Sequence, residues 1–100
     1  MILEAGYLFI KKGEEGQFEE KFKLATQYIS SIDGYIRHSL KRCIEQENKY
    51  LLLVEWETLE AHMVGFRKSE AFLEWRKLIG PYFEAAPNME HFNAFFENEK

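Results

Sequence analysis

The 100-residue sequence predicts an α+β fold whose elements run β-α-β-β-α-β. Three observations carry that order. Four segments read as strands, two by alternation of apolar and polar residues and two by β-branched, aromatic or continuous apolar content; two carry apolar residues at spacings of three and four; and Gly, Pro or Asn marks the breaks between them.

Residues 2–11 are rich in β-branched and aromatic types and end at Lys11-Lys12-Gly13, which reads as a first strand with a turn behind it. From Glu14 to Ile32 the residues Phe18, Phe22, Ala25, Ile29 and Ile32 form one helical stripe. Glu14, Glu15, Glu19 and Glu20 sit near the helix's positive N-terminal end, and Asp33-Gly34 supplies a stop. Residues 35–45 alternate again, Gln46-Glu47-Asn48-Lys49 makes a turn, and 50–57 resumes as a strongly apolar strand, so the two form a hairpin. Thr58 can cap a second helix with Leu59, His62, Met63 and Phe66 on one face. Ser69 can cap its continuation, which carries Phe72, Trp75, Leu78 and Ile79 and ends at Gly80-Pro81. Met89–Glu97 alternates well enough for a last strand, leaving 98–100 as a short tail on a single domain spanning 1–100. Connection rules fold this order into a ferredoxin-like, four-stranded antiparallel sheet with both helices on one face.

The face left uncovered bears on partners. The first strand offers Leu3, Ala5, Tyr7 and Phe9 on one parity and Ile2, Leu8 and Ile10 on the other. The third offers Tyr50, Leu52, Val54 and Trp56 against Leu51 and Leu53. A sheet apolar on both faces needs cover on both, and the helices cover only one, so a homodimer joined sheet to sheet is expected. Such a dimer would also absorb part of an aromatic content of 16%.

Bulk properties exclude several classes. Seventeen acidic against thirteen basic residues, a net charge of −4 and no Lys/Arg block argue against nucleic acid as a partner. The third strand also lacks the glycine that RNA-recognition sheets of the same element order carry. The longest apolar run, Tyr50 to Val54, is far short of a membrane span. Without a basic leader and with Cys43 unpaired, a cytoplasmic protein is expected, and Cys43 reads as a small buried hydrophobe. No nucleophile-elbow serine or phosphate-cradling glycine loop is present, and no histidine pair has metal-ligand spacing.

His62 is the most informative side chain. It lies on the apolar stripe between Leu59 and Phe66, facing the space between helix and sheet, where a histidine can move protons near neutral pH or simply pack at the core edge. His91, in Met89-Glu90-His91-Phe92, can line the same space or face the dimer partner, while His38 reads as a solvated or interface residue. Trp56, Phe66, Trp75 and Tyr82 can form an aromatic wall for a flat ligand or serve as plain core. Arg67 and Arg76 can neutralise a phenolate or carboxylate on a ligand, or be solvated or paired with Glu60 or Glu70.

The segment from Leu53-Val54-Glu55-Trp56 through Glu60-Ala61-His62 to Ser69, with Phe72, Trp75 and Met89-Glu90-His91-Phe92 beyond it, resembles the antibiotic biosynthesis monooxygenase superfamily. That resemblance implies a dimeric α+β barrel. It also implies oxidation of phenolic or quinol-like compounds by dioxygen with no metal or flavin, so no cofactor is expected. A divergent branch degrades haem with an asparagine, a tryptophan and a histidine whose positions fall on Gly6, Phe66 and Arg76 here, so haem chemistry is not implied. Two readings follow. In the first the chain is a cofactor-independent monooxygenase of a small aromatic substrate, with His62 and His91 catalytic and Trp56, Phe66, Arg67, Trp75 and Tyr82 binding substrate. In the second it is a non-catalytic dimeric ligand-binding or stress-response protein of the same fold. The expected discriminator is whether His62 opens onto a cavity or is packed shut.

Overall fold

A computed structural model describes residues 1–100. Strands β1 (Ile2–Phe9), β2 (Tyr35–Arg42), β3 (Lys49–Trp56) and β4 (Glu90–Phe92) form one sheet in the order β2-β3-β1-β4, antiparallel throughout. Helices α1 (Glu15–Ile29) and α2 (Glu70–Ile79) complete the β-α-β-β-α-β order, with a π-helical segment at Ala61–Phe66 leading into α2 and a 3-10 turn at Gly80–Tyr82 closing it. This is the ferredoxin-like arrangement that the sequence periodicity predicts.

Parity decides which residues make the core. Leu8 and Ile10 of the first strand region join Tyr50, Leu52, Val54 and Trp56 of β3 beneath the helices. They meet Phe18, Phe22, Ala25 and Ile29 of α1, then Phe66, Trp75 and Ile79. Rings interlock there, Phe18 against Tyr50 at 5.0 Å and Phe22 against Trp75 at 5.4 Å between centroids. The opposite parity is left half covered: Leu3, Phe9, Leu51 and Leu53 are partly exposed, and Tyr7 and Phe92 are about half exposed.

Several boundaries differ from the sequence expectation, each for a local reason. α1 stops at Ile29 rather than Ile32 because Ser30 and Ser31 turn their hydroxyls back onto the Thr26 and Tyr28 carbonyls. Gly34, at φ +89, then turns the chain toward β2, and a Cβ there would stand 2.6 Å from the Ala61 Cβ. β4 covers Glu90–Phe92 instead of 89–97, since its partner β1 begins at Ile2 and the register already sets Leu3 opposite Phe92. Phe95 and Phe96 beyond it are exposed.

The second helix is not continuous. Thr58 caps its start through the Ala61 amide, but residues 61–66 wind as a π-helix, marked by the Arg67 amide bonding the His62 carbonyl five residues back. Leu59 and Met63, expected on the buried stripe, are therefore 48% and 40% exposed, while His62 and Phe66 remain buried. Ser69 restarts a regular helix by accepting from the Phe72 amide.

Candidate functional site

An acidic residue on the buried parity of β1 is the centre of the site. Glu4 is 5% exposed, with its carboxyl among aromatic rings under the helices. A lone buried carboxylate is costly, so its oxygens need partners. Oε1 accepts from the Trp56 indole N–H at 2.9 Å, and Oε2 lies 3.3 Å from His62 Nε2. Trp56 reaches it because β3 pairs with β1, and His62 reaches it because the π-helical segment crosses above the same strand pair.

His62 is held against one ring face and at both nitrogens. Its imidazole stacks on Trp56 at 5.2 Å with the planes 19° apart, and its Nδ1 shares a proton with His91 Nε2 across 2.8 Å. His91 comes from β4, directly opposite Glu4 in the β1–β4 register, which resolves its parity toward the helix side rather than the open sheet face. The remaining nitrogen of His91, Nδ1, has no partner within the chain and is not a buried atom, so it faces solvent. Trp56, Glu4, His62 and His91 thus form a polar chain running from the core to the surface.

Electrostatics set which protons this chain holds. Burial pushes the Glu4 carboxyl up from its usual range, against the opposing pull of the Trp56 hydrogen bond and the Arg67 charge. Burial, then the neighbouring His91 and Arg67 charges, holds His62 down to about 4. Neither group favours its charged form. With Glu4 ionised, Trp56 and His62 Nε2–H face the two carboxylate oxygens. His62 Nδ1 must then accept from His91 Nε2–H, leaving His91 Nδ1 as an outward-facing base. A proton arriving there can move inward by two exchanges of tautomer and end on Glu4, with no imidazolium left in the core. The 3.3 Å contact must close by a few tenths of an ångström for the last exchange.

The other candidate residues are placed as follows. Trp56, Phe66 and Trp75 are 0, 2 and 6% exposed and pack on one another, Phe66 lying 5.7 Å from Trp56 and 5.8 Å from Trp75. None of them, and neither His62 nor His91, lines any of the five principal surface cavities. Tyr82 sits apart, beside Phe18 at 6.5 Å. Arg67 lies outside the buried cluster and lines an open groove with Arg76. His38 forms a second, self-contained polar group: it is half-buried, bonded to Tyr35 Oη at 2.6 Å and Thr26 Oγ1 at 3.2 Å, and not solvated as its sequence neighbours suggest. No set of three His, Cys, Asp or Glu side chains is arranged to hold a metal ion, and no helix is long and apolar enough to cross a membrane.

Gly6 shows why a side chain is excluded on the same strand face. A Cβ there would meet Met89 Sδ at 2.5 Å and the Asn88 carbonyl at 2.7 Å, because the chain entering β4 crosses directly over it. An asparagine of the haem-degrading kind has no room at this position.

A ferredoxin-like sheet with the buried Glu4–His62–His91 chain at the junction of β1, β4 and the second helical segment places the protein among small single-sheet α+β proteins. Residues 1–78 match the family model for antibiotic biosynthesis monooxygenase, and the chain belongs to that family. It is 50% identical over 92 residues to an uncharacterized Bacillus subtilis protein, YczJ, covering 92% of this chain and 97% of that one. A solved structure from Bordetella bronchiseptica, of a protein proposed to be an antibiotic biosynthesis monooxygenase, superposes with a TM-score of 0.91 at 36% identity, over 95% of this chain and 97% of that one. SnoaB of Streptomyces nogalater, a cofactor-independent oxygenase, shares the fold with a TM-score of 0.81 at 19% identity, over 99% of this chain and 97% of its own.

Proposed function

We propose that this protein is a cofactor-independent monooxygenase acting on a small aromatic or quinol-type substrate with dioxygen. The observation that carries the reading is the Glu4–His62–His91 chain, which ends in a free acceptor nitrogen at the surface. Family membership and the fold shared with a cofactor-independent oxygenase support it.

In this reading His91 Nδ1 removes the proton of the substrate hydroxyl, and the proton passes through His62 to Glu4. His62, read from sequence as the base itself, is the relay behind it. The substrate anion, electron-rich at its ring carbon, transfers an electron to dioxygen, and the radical pair joins as a carbon-bound peroxide anion. Breaking the O–O bond with loss of the carbon's hydrogen leaves a ketone and hydroxide. The hydroxide recovers the stored proton and departs as water, so one O–H, one ring C–H and one dioxygen give two C=O groups and one water. Arg67, whose charge is felt at both Glu4 and His62, favours the anionic stages. Trp56, Phe66 and Trp75 hold the relay in register, and an aromatic substrate stacks at its outer end.

The test is oxygen uptake with a panel of anthrones and quinols. The parent should consume oxygen, and His91→Ala and His62→Ala should each lose on the order of 100-fold, the smaller end of what a positioned acid–base group contributes. Equal rates in parent and both variants would dismiss the relay.

A specific observation favours a second reading. Because His62 is packed shut and Trp56, Phe66 and Trp75 fill the interior, a non-catalytic ligand-binding or stress-response protein is the alternative, and it predicts no oxygen uptake with any member of the panel.

The same proposal includes a homodimer formed through the open sheet face. The partly exposed Leu3, Phe9, Leu51 and Leu53, with Tyr7 and Phe92, make one apolar surface that the helices do not reach. Light scattering that returned the 11.9 kDa monomer mass at micromolar concentration would refute it.

A further inference from the structure

The groove that Arg67 lines is separate from the relay. It runs between α2 and the turn through residues 80–87, encloses about 880 Å³, and has Arg67, Arg76 and Lys77 on one side, with Leu73, Phe83 and Pro87 among its apolar lining. No acidic side chain lines it, in a chain with more acids than bases.

The arginines divide sharply. Arg37 and Arg42 on β2 each pair with a carboxylate, Glu55 and Glu19 respectively. Arg67 and Arg76, the other two in the chain, have no ion pair, and both stand over one ring: their guanidinium carbons lie 5.4 and 5.8 Å from the Phe72 centroid. Contact with the Phe72 ring places both guanidiniums along the groove and leaves their N–H donors without a partner in the chain. Leu73, one residue along α2, is 54% exposed into the same groove. Two unsatisfied guanidiniums beside exposed apolar surface match an amphipathic anion, because a carboxylate takes bidentate bonds from arginine while a ring covers the apolar wall.

We infer that this groove binds a small organic carboxylate with an aromatic body, its carboxylate held between Arg67 and Arg76 and its ring against Leu73 and Phe83. The site does not depend on the oxygenase reading. Lys77, already paired with Glu74 at 3.4 Å, adds charge at the rim.

The experiment is calorimetric titration of the full chain with 2-naphthoate and with 2-naphthalenemethanol, its neutral counterpart, at low salt. Naphthoate should bind at least tenfold more tightly, a difference of about 1.4 kcal/mol. Arg67→Gln and Arg76→Gln should each remove that preference. Lys23→Gln, on α1 outside the groove, and His91→Ala, in the relay, should retain it, which separates failure of this site from failure of the relay. All three replaced cations are exposed, and far-ultraviolet circular dichroism checks the folds. Equal affinity for the neutral compound, absence of naphthoate binding, or an unchanged preference in Arg76→Gln would each overturn the inference.

Discussion

Acid should unfold this protein in part through His62. Its ring is 3% exposed, between Trp56, Glu4 and His91, and burial holds its pKa down to about 4, against an ordinary 6.5. The unfolded chain therefore binds a proton at His62 that the folded chain refuses. The resulting stability is whole above pH 6.5 and is lost as pH falls toward 4. At 1.36 kcal/mol per pH unit the lowered pKa is worth about 3 kcal/mol in full, of which about 2–3 kcal/mol is lost between pH 7.5 and 4.5. In a domain of this size that lowers the melting temperature by roughly 10–20 °C. Glu4 acts in the opposite sense, because its raised pKa lets the folded state take up a proton before the unfolded state does. The comparison is therefore made in a Glu4→Gln background, which removes that uptake while leaving burial, His91 and Arg67, the causes that hold His62 down, in place. Urea unfolding of Glu4→Gln and of Glu4→Gln/His62→Gln at pH 7.5, 6.0 and 4.5 reads the difference. The single variant should lose about 2–3 kcal/mol more than the double variant over that range. Parallel losses would mean that His62 charges freely in the folded state and is not enclosed as described.

Two further outcomes follow from the same neighbourhood. Gly6→Asn should destabilise by roughly 1–3 kcal/mol, as overpacking does, and release β4, since its Cβ would collide with Met89 and the Asn88 carbonyl; hydrogen exchange should rise at Glu90–Phe92 and stay protected in β3, and unchanged exchange at β4 would refute the close approach. Trp56→Phe keeps the ring against His62 but removes the only N–H bonded to Glu4 Oε1, so it should cost about 1–3 kcal/mol in chemical unfolding above pH 7 and less below pH 4, where a protonated Glu4 needs fewer donors.

The fold was legible in the sequence because its two periodicities are clean where burial is one-sided. Phe18, Phe22, Ala25 and Ile29 mark α1, while β3 shows itself by an unbroken apolar run from Tyr50 to Val54 whose burial alternates in the fold. What periodicity could not supply was the winding of 61–66. A π-helix and an α-helix carry the same residue types over one turn, so Leu59 and Met63 were assigned to a stripe that the extra residue per turn rotates toward solvent. Nor could it give the length of β4, which depends on where the ladder partner in β1 begins.

The site was legible by half, and the missing half explains the other. His62 and His91 stood out as residue types, but neither acquires a defined proton position without Glu4, which reads as an ordinary strand acid until its parity is counted. Along β1 the helix-facing positions are Ile2, Glu4, Gly6 and Leu8, so a carboxylate and a glycine interrupt the one apolar row that lies under the helices. Each interruption has a counterpart in the β4 region: His91 opposite Glu4, and Met89 against Gly6. An inward acid on a core parity is expensive to bury, so its presence calls for donors, and the two aromatic N–H groups nearest in the fold, Trp56 and His62, are the ones that meet it. The packed interior and the relay are thus one construction. Trp56 fills space beneath His62 and bonds its carboxylate partner with the same ring, so the enclosure that holds the His62 ring uncharged also places it to pass a proton between His91 and Glu4.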